Sequence, residues 1–323
     1  MNHSVFYLNQ PDLCRSSLTV CRLRTSLHFT ALQNKVRMKI AAFNAKKLGL
    51  TKVRDQMISS HLTKIIRRYS IIFILEVVDR TGKAMEELHR KVNQTGRGRP
   101  YEMVSSIPLG RGTYREQFVC FYRSKEVTLT AWHQYEDNQP GDEDAFAREP
   151  CILCFSCPST AVKDLVLVPV HTKPSDVLKE LDELHDVVQA VRTSWKMDNI
   201  VILGDFNAGG RYLSKKKMKQ IRIRSESYHW LIADSTDTTS SNNNTNCYDR
   251  IVLYGQRMLS AIVPRSAKPF NFQKQFKLTD EEALRISDHY PVEVRLKGQQ
   301  KETSRRKTTA VKKGPIQKRR RTN

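Results

Sequence analysis

Asn199-Ile-Val-Ile-Leu-Gly-Asp-Phe-Asn207 runs from four successive apolar residues into the polar string GDFN, and Ser287-Asp-His-Tyr-Pro-Val-Glu-Val294 reverses the order, placing SDHY ahead of an apolar segment. Apolar runs of this length bounded by turn residues read as buried strands. Acids and amides therefore fall at strand ends, where a rigid scaffold can hold a site. The same reading finds Asn44 closing Met38-Lys-Ile-Ala-Ala-Phe-Asn44, Glu76 closing Ile71-Ile-Phe-Ile-Leu-Glu76 and His171 closing Leu165-Val-Leu-Val-Pro-Val-His171, while Asp249 opens a strand in Cys247-Tyr-Asp-Arg-Ile-Val252. One acid after an apolar run is a cap or a turn residue. Six such places in one chain point to a single centre. Carboxylates and amides are hard oxygen donors for a divalent cation, and an imidazole beside them carries a proton near neutrality.

These strings resemble the deoxyribonuclease I family, within the wider endonuclease/exonuclease/phosphatase superfamily. The resemblance runs from Met38 to about Leu296 and includes KIAAFN (Lys39 to Asn44), PLGRGTYRE (Pro108 to Glu116), FAREP (Phe146 to Pro150), GDFNA (Gly204 to Ala208), YDRIV (Tyr248 to Val252) and ISDHYPVEV (Ile286 to Val294). GDFN and SDHY belong to the whole superfamily and imply metal-dependent phosphoester hydrolysis. PLGRGTYRE and FAREP are narrower and imply the deoxyribonuclease branch, with similarity to its gamma and I-like members.

The fold that the resemblance implies is α/β: a four-layer α-β-β-α sandwich of two packed mixed sheets flanked by helices. It also implies roles. Glu76, Asp205 and Asp288 would form the shell of Mg²⁺ or Mn²⁺, and Asn44 and Asn207 would hold phosphate oxygens. His289 with Asp249 would be the general base and His171 with Glu116 the general acid, each carboxylate fixing the tautomer of its imidazole. Arg111, Tyr114, Arg148 and Tyr212 match the family's DNA contacts. Asp144 and Glu149 around FAR, and Asp237 and Thr239 in the following polar loop, match Ca²⁺ ligands. The chain also departs from the family. Val78 stands where pancreatic-type members carry a groove-inserted Arg, for which Lys215-Lys-Lys217, Arg222, Arg224 and the basic tail could compensate. Met103 and Ser105 replace the residues that dock actin, so actin is not an expected partner. Gly209-Gly210 removes one cysteine of the secreted branch's disulfide and leaves Cys247 without that partner, and the second family disulfide, between Tyr135 and Phe146, is missing too.

The 323 residues are 39% hydrophobic, enough for a full core, and carry a formal charge of +22. Such an excess suits a polyanion, with nucleic acid ahead of an anionic membrane, and no apolar stretch is long enough for a membrane helix. Residues 1–37 are read as an extension without a clean signal peptide, because Arg15, Arg22 and Arg24 interrupt any apolar core. Residues 38–298 are read as the catalytic domain and 299–323 as a disordered basic arm. Its Lys318 to Arg321 cluster fits nuclear targeting, a clamp on DNA backbone, or both. Secretion or the endoplasmic reticulum is the other location considered. Helices are expected over Val53 to Tyr69, Met85 to Asn93 and Asp176 to Trp195, the last capped by Pro174-Ser-Asp176. The seven cysteines have no framework spacing, and Cys151 and Cys154 should face opposite sides of a strand as free thiols.

The functional expectation is a monomeric, metal-dependent endonuclease that cleaves double-stranded DNA, chromatin included, with little sequence selectivity and leaves 5′-phosphates. A phosphoesterase acting on phospholipid or inositol phosphate, and an inactive DNA-binding relative, are the alternatives.

Overall fold

The computed structural model describes residues 38–299, except 95–97, 99, 139–143 and 242–244. The expected N-terminal extension lies outside the described residues, as does the basic arm after Gln299. Gln299 itself still donates to Ser159 O at 2.9 Å.

The described strands are β1 (Lys39–Leu48), β2 (Ile71–Val77), β3 (Tyr101–Ser105), β4 (Gln117–Arg123), β5 (Thr128–Gln134), β6 (Cys151–Ser156), β7 (Asp164–His171), β8 (Ile200–Asp205), β9 (Tyr228–Trp230), β10 (Asp249–Tyr254), β11 (Lys268–Pro269) and β12 (Val292–Arg295). They form two six-stranded sheets, ordered β11-β12-β1-β2-β4-β3 and β5-β6-β7-β8-β10-β9. Both are mixed: β1 runs parallel to β2, and β7 parallel to β8, while the other pairs are antiparallel. Helices α1 (Leu50–Arg54), α2 (Gln56–Ile66), α3 (Lys83–Gln94), α4 (Val177–Trp195), α5 (Lys215–Met218), α6 (Gly255–Ala261), α7 (Phe272–Phe276) and α8 (Asp280–Ile286) complete the sandwich.

The central strands are apolar throughout because both of their faces are covered. In β1, Ile40 and Ala42 enter the layer between the sheets, whereas Ala41 and Phe43 meet the outer helices. In β7, Leu165 and Leu167 point inward, and Val166, Val168 and Val170 pack against α4. Burying each such Leu or Phe contributes about 1.5–3 kcal/mol. Cys151 and Cys154 divide in the same way, Cys151 between the sheets and Cys154 on the α4 side, both as free thiols.

Two helix expectations need correction. The helix expected over Val53 to Tyr69 is broken at Asp55, whose extended backbone ends α1 and whose carboxylate accepts from Ile58 N at 3.0 Å to cap α2. Asp176 does precede α4, but its side chain makes no capping bond. Arg111 and Lys173, each at 3.0 Å, claim that carboxylate instead.

Candidate active site

The two parallel pairs, β1–β2 in one sheet and β7–β8 in the other, carry Asn44 and Glu76, and His171 and Asp205, toward one edge of the sandwich. Asp249 and His289 reach the same edge from the N-terminal ends of the antiparallel β10 and β12. Register fixes the grouping: Asp205 lies opposite His171 on β7 and opposite Asp249 on β10. This edge also holds unusual backbone. Lys46, Lys47, Glu76 and Asn207 all have positive φ, and the β1–β2 register shifts between Asn44 and Leu48. Left-handed non-glycine residues of this kind cost of order 1–3 kcal/mol each and gather where a site demands them.

Asp205 is the hub. It is buried, its Oδ1 accepts from Asn207 N at 3.0 Å, and its Oδ2 accepts from Asn44 Nδ2 at 3.1 Å, which ties the two sheets together. Two imidazoles face that same Oδ2: His171 Nε2 at 3.6 Å and His289 Nε2 at 3.7 Å. Behind each ring stands a buried carboxylate. His171 Nδ1 lies 2.5 Å from Glu116 Oε1, and His289 Nδ1 lies 2.8 Å from Asp249 Oδ2. Each imidazole is therefore oriented by one acid and aimed at another, the arrangement that sets its tautomer.

Charge follows from this geometry. Burial works to lower His289, but Asp249 and Asp205 overcome it and raise its imidazole to about 10. Burial likewise opposes the charged form of His171, and Glu116 and then Asp205 prevail to raise it. Burial would raise Asp205, yet the two histidines hold it below the usual carboxylate range. Asp249 is raised, chiefly by burial.

Asp205, Asp249 and His289 offer ligand atoms within 4.8 Å of one another, and Asp249 Oδ1 is buried without a hydrogen-bond partner. Two carboxylates, one with a spare lone pair, suit a divalent cation through hard oxygens. Glu76 and Asp288, expected in the same shell, have other contacts. Tyr114 donates to Glu76 Oε1 at 3.4 Å, and Lys46 Nζ lies 3.0 Å from Asp288. Lys52, lowered to about 8 by burial and then by Lys46, lies in the field of both acids. Its ammonium donates to Ala45 O, Lys46 O and Ile286 O, stapling the strand that bears Asn44 to the segment that bears SDHY.

Asn207 donates through Nδ2 to Thr172 O at 3.0 Å. Arg148 pairs with Glu116 beside His171 and is only 13% exposed, so its guanidinium acts inside the site. Arg111 is engaged by Asp144 and Asp176. Tyr114 is 42% exposed at the rim, and Tyr212 packs on Tyr248 with ring centroids 5.4 Å apart. Of the expected calcium residues, Asp144 bonds Arg111, and Asp237 accepts from Thr239 N, Thr239 Oγ1 and Asn246 N, closing a turn. Glu149 contributes its carbonyl to Gln134. Two of the compensating cations turn out to be structural: Arg222 binds Asp182 and Asp186, and Arg224 binds Asp234 over the face of Trp230.

Three supporting residues were not anticipated. Thr238 Oγ1 accepts from Tyr248 N and Asp249 N, fixing the entry to β10. Ser287 Oγ donates to Asn44 O at 2.6 Å and accepts from His289 N. Glu180, on α4, accepts from Ala147 N and Lys173 N, beside Arg148 and His171. The last had a readable signal: Glu180 stands between Val177 and Leu184 at helical spacing, an acid on an apolar stripe.

The family model described as "Endonuclease/Exonuclease/phosphatase family" matches residues 43–289, a span bounded by the candidate site itself. Deoxyribonuclease gamma of Homo sapiens is 42% identical over 88% of this chain and 93% of its own length. Deoxyribonuclease-1 of Sus scrofa is 43% identical over 82% of this chain and 94% of its own. Among solved structures, an endonuclease/exonuclease/phosphatase from Bacteroides vulgatus superposes with a TM-score of 0.56 at 12% identity, covering 81% of this chain and 99% of that one. That likeness concerns the fold alone. By family model and by relatives matched over most of its length, the chain belongs to the endonuclease/exonuclease/phosphatase family, on its deoxyribonuclease branch.

Proposed function

We propose that this protein is a metal-dependent deoxyribonuclease that hydrolyses phosphodiester bonds of double-stranded DNA with little sequence selectivity and leaves 5′-phosphates. The observation that carries the reading is the pair of carboxylate-backed imidazoles, Glu116–His171 and Asp249–His289, converging within 3.7 Å of Asp205 Oδ2. Phosphodiester hydrolysis needs a base for water and an acid for the leaving oxygen, and two arms of one build at one point provide a proton acceptor and a donor. Asn44 and Asn207 offer neutral amides to phosphate oxygens without adding negative charge. Arg148 adds a cation beside His171.

Mg²⁺ or Mn²⁺ is the metal proposed, and Asp205 and Asp249 would hold it through hard oxygens, with Glu76 and Asp288 assigned to its shell by resemblance. When bound, the cation supplies charge neutralisation at phosphorus and a more acidic water. Formal charge and the Lys318 to Arg321 cluster support DNA, including chromatin, as partner and the nucleus as location.

Plasmid nicking tests the reading. Activity should vanish with chelator and return with Mg²⁺ or Mn²⁺. His171→Ala and His289→Ala should each lower turnover by about 10²–10⁴-fold with DNA affinity nearly intact. Nicking that persists in chelator, or wild-type turnover by either variant, would refute it.

A further inference from the structure

We infer that the protein carries a second DNA-binding face, at the strand ends opposite the candidate site, which holds the backbone of a DNA segment other than the one being cut. The inference rests on the reading of DNA as substrate. A concavity of about 870 Å³ on the outer face of α2 is lined by Lys39, Lys64, Arg67, Arg68 and Lys91. A hollow of about 460 Å³ adjoins it, sharing Arg68 and Phe270 and adding Lys268 and Lys274. Among the described residues, no acid lines either one. Glu293 lies fully buried beneath Lys39 and Arg68, and Glu87 contacts Lys91, so positive charge remains in clear excess.

Several of these cations are already held in place. Arg68 donates two hydrogen bonds to Glu293, at 2.7 and 3.0 Å, and lies 4.0 Å from the centroid of the Phe270 ring. Lys91 donates to Val53 O at 2.6 Å and to Ser59 Oγ at 3.2 Å. Lys64 sits over the Phe276 ring at 5.6 Å. Cations fixed beforehand lose little side-chain freedom on binding. Phe270 is buried beneath Arg68, and Phe276 is flanked by Lys64 and by the His61 ring, so neither offers an open face for stacking an unpaired base. The surface therefore suits the phosphates of an intact duplex, a contact without sequence preference, rather than single strands.

Its placement makes the segment a second one. Lys39 opens β1, and Asn44 stands five residues on, about 17 Å away along the strand. Arg68 precedes β2, whose far end carries Glu76. A duplex lying across the catalytic edge leaves this face open, so one molecule can join two stretches of DNA and raise its local concentration on long substrates.

The test is Lys64→Glu with Lys274→Glu in the full chain, both exposed positions away from the site. Wild-type protein in chelator, bound to an immobilised duplex, should capture a second labelled duplex, and the variant should fail to do so. On long DNA the slope of log affinity against log salt should fall by about 2. Cleavage of a short duplex at low salt should match wild type, which also shows that the variant is folded. Equal capture by the variant overturns the proposal. So does an equal loss on short and long DNA, or a loss seen only on anionic lipid vesicles. Wild-type protein that neither binds nor cuts the short duplex would fail the substrate reading first, and this proposal with it.

Discussion

Replacing Glu180 by Ala should damage the His171 arm without touching it. Glu180 is 1% exposed in the first turn of α4, and its Oε1 accepts from Ala147 N at 3.3 Å and from Lys173 N at 3.1 Å. Those amides belong to the two segments that frame Glu116: Arg148 follows Ala147, and Lys173 comes two residues after His171. Alanine would leave both donors without their acceptor. An orphaned buried donor costs about 1–3 kcal/mol, and since Lys173 is only partly buried, a total of about 3 kcal/mol is expected. Catalysis should suffer as well, because a misplacement of about 1 Å in a site of this kind costs about 10²-fold in rate.

Glu180→Gln keeps the acceptor and separates the two effects. Burial pushes the Glu180 carboxyl from 4.5 up to about 7. Its folded value is thus above its unfolded one, so between about pH 4.5 and 7 the native state binds more protons, and stability falls as pH rises through that window. The fall amounts to about 3 kcal/mol once the window is crossed. Glutamine has no such slope, so Glu180→Gln should be at least as stable as wild type at pH 8. Denaturant melts at pH 5 and pH 8, with kcat and KM from a short-duplex assay, read all of this. Ala should lose about 10²-fold in kcat with KM little changed, and Gln should restore it. Wild-type kcat in Glu180→Ala would refute the positioning role, and a pH-stability profile shared by Gln and wild type would refute the assignment of the slope.

Two further outcomes concern the scaffold. Glu293, buried against Arg68, Tyr69 and Lys39, is opposed by burial, but its partners, Arg68 foremost, hold it below the usual carboxylate range. Its stabilisation is therefore complete above its unfolded pKa and is lost as pH falls through the folded one; Glu293→Gln should cost about 2–3 kcal/mol at pH 7, the scale of a charge-assisted hydrogen bond, and flatten the acid limb of the melt, and an unchanged limb would count against it. Gly204 has φ of +144°, and a Cβ there would stand 2.0 Å from Val170 O, so Gly204→Ala should leave no soluble folded protein, whereas a normal melting curve would contradict the contact.

Much of this centre was legible because its residues end apolar runs. Asn44, Glu76, His171 and Asp205 each end an apolar run, and pairing makes β1 parallel to β2 and β7 parallel to β8, so each sheet brings two of them to one end; that the two ends face each other is seen only in the fold, in the Asn44–Asp205 bond. Less legible was everything decided by partners distant in the chain. The fold sets Arg148 on Glu116, Arg222 on Asp182 and Asp186, and Arg224 on Asp234, pairings between residues that no local spacing announces. Asp55 shows the same thing locally: the apolar period passes through it from Val53 onward, but its carboxylate caps the next turn and breaks the helix there.

The metal shell is the case in which tertiary charge matters most. Carboxylates at strand ends announce a cation in sequence, but which of them share it depends on the lysines alongside. Lys46 and Lys52 stand among Glu76 and Asp288, whereas the Asp205–Asp249 side has only imidazoles. A cation and an ammonium compete for the same oxygens. If a divalent cation is held as proposed, the lysines would weigh against Glu76 and Asp288 as its ligands and favour the carboxylates next to the histidines, so that proton transfer and charge neutralisation would depend on the same few atoms. That shared dependence gives a physical reason for Asp205 to lie between both imidazoles instead of beside one.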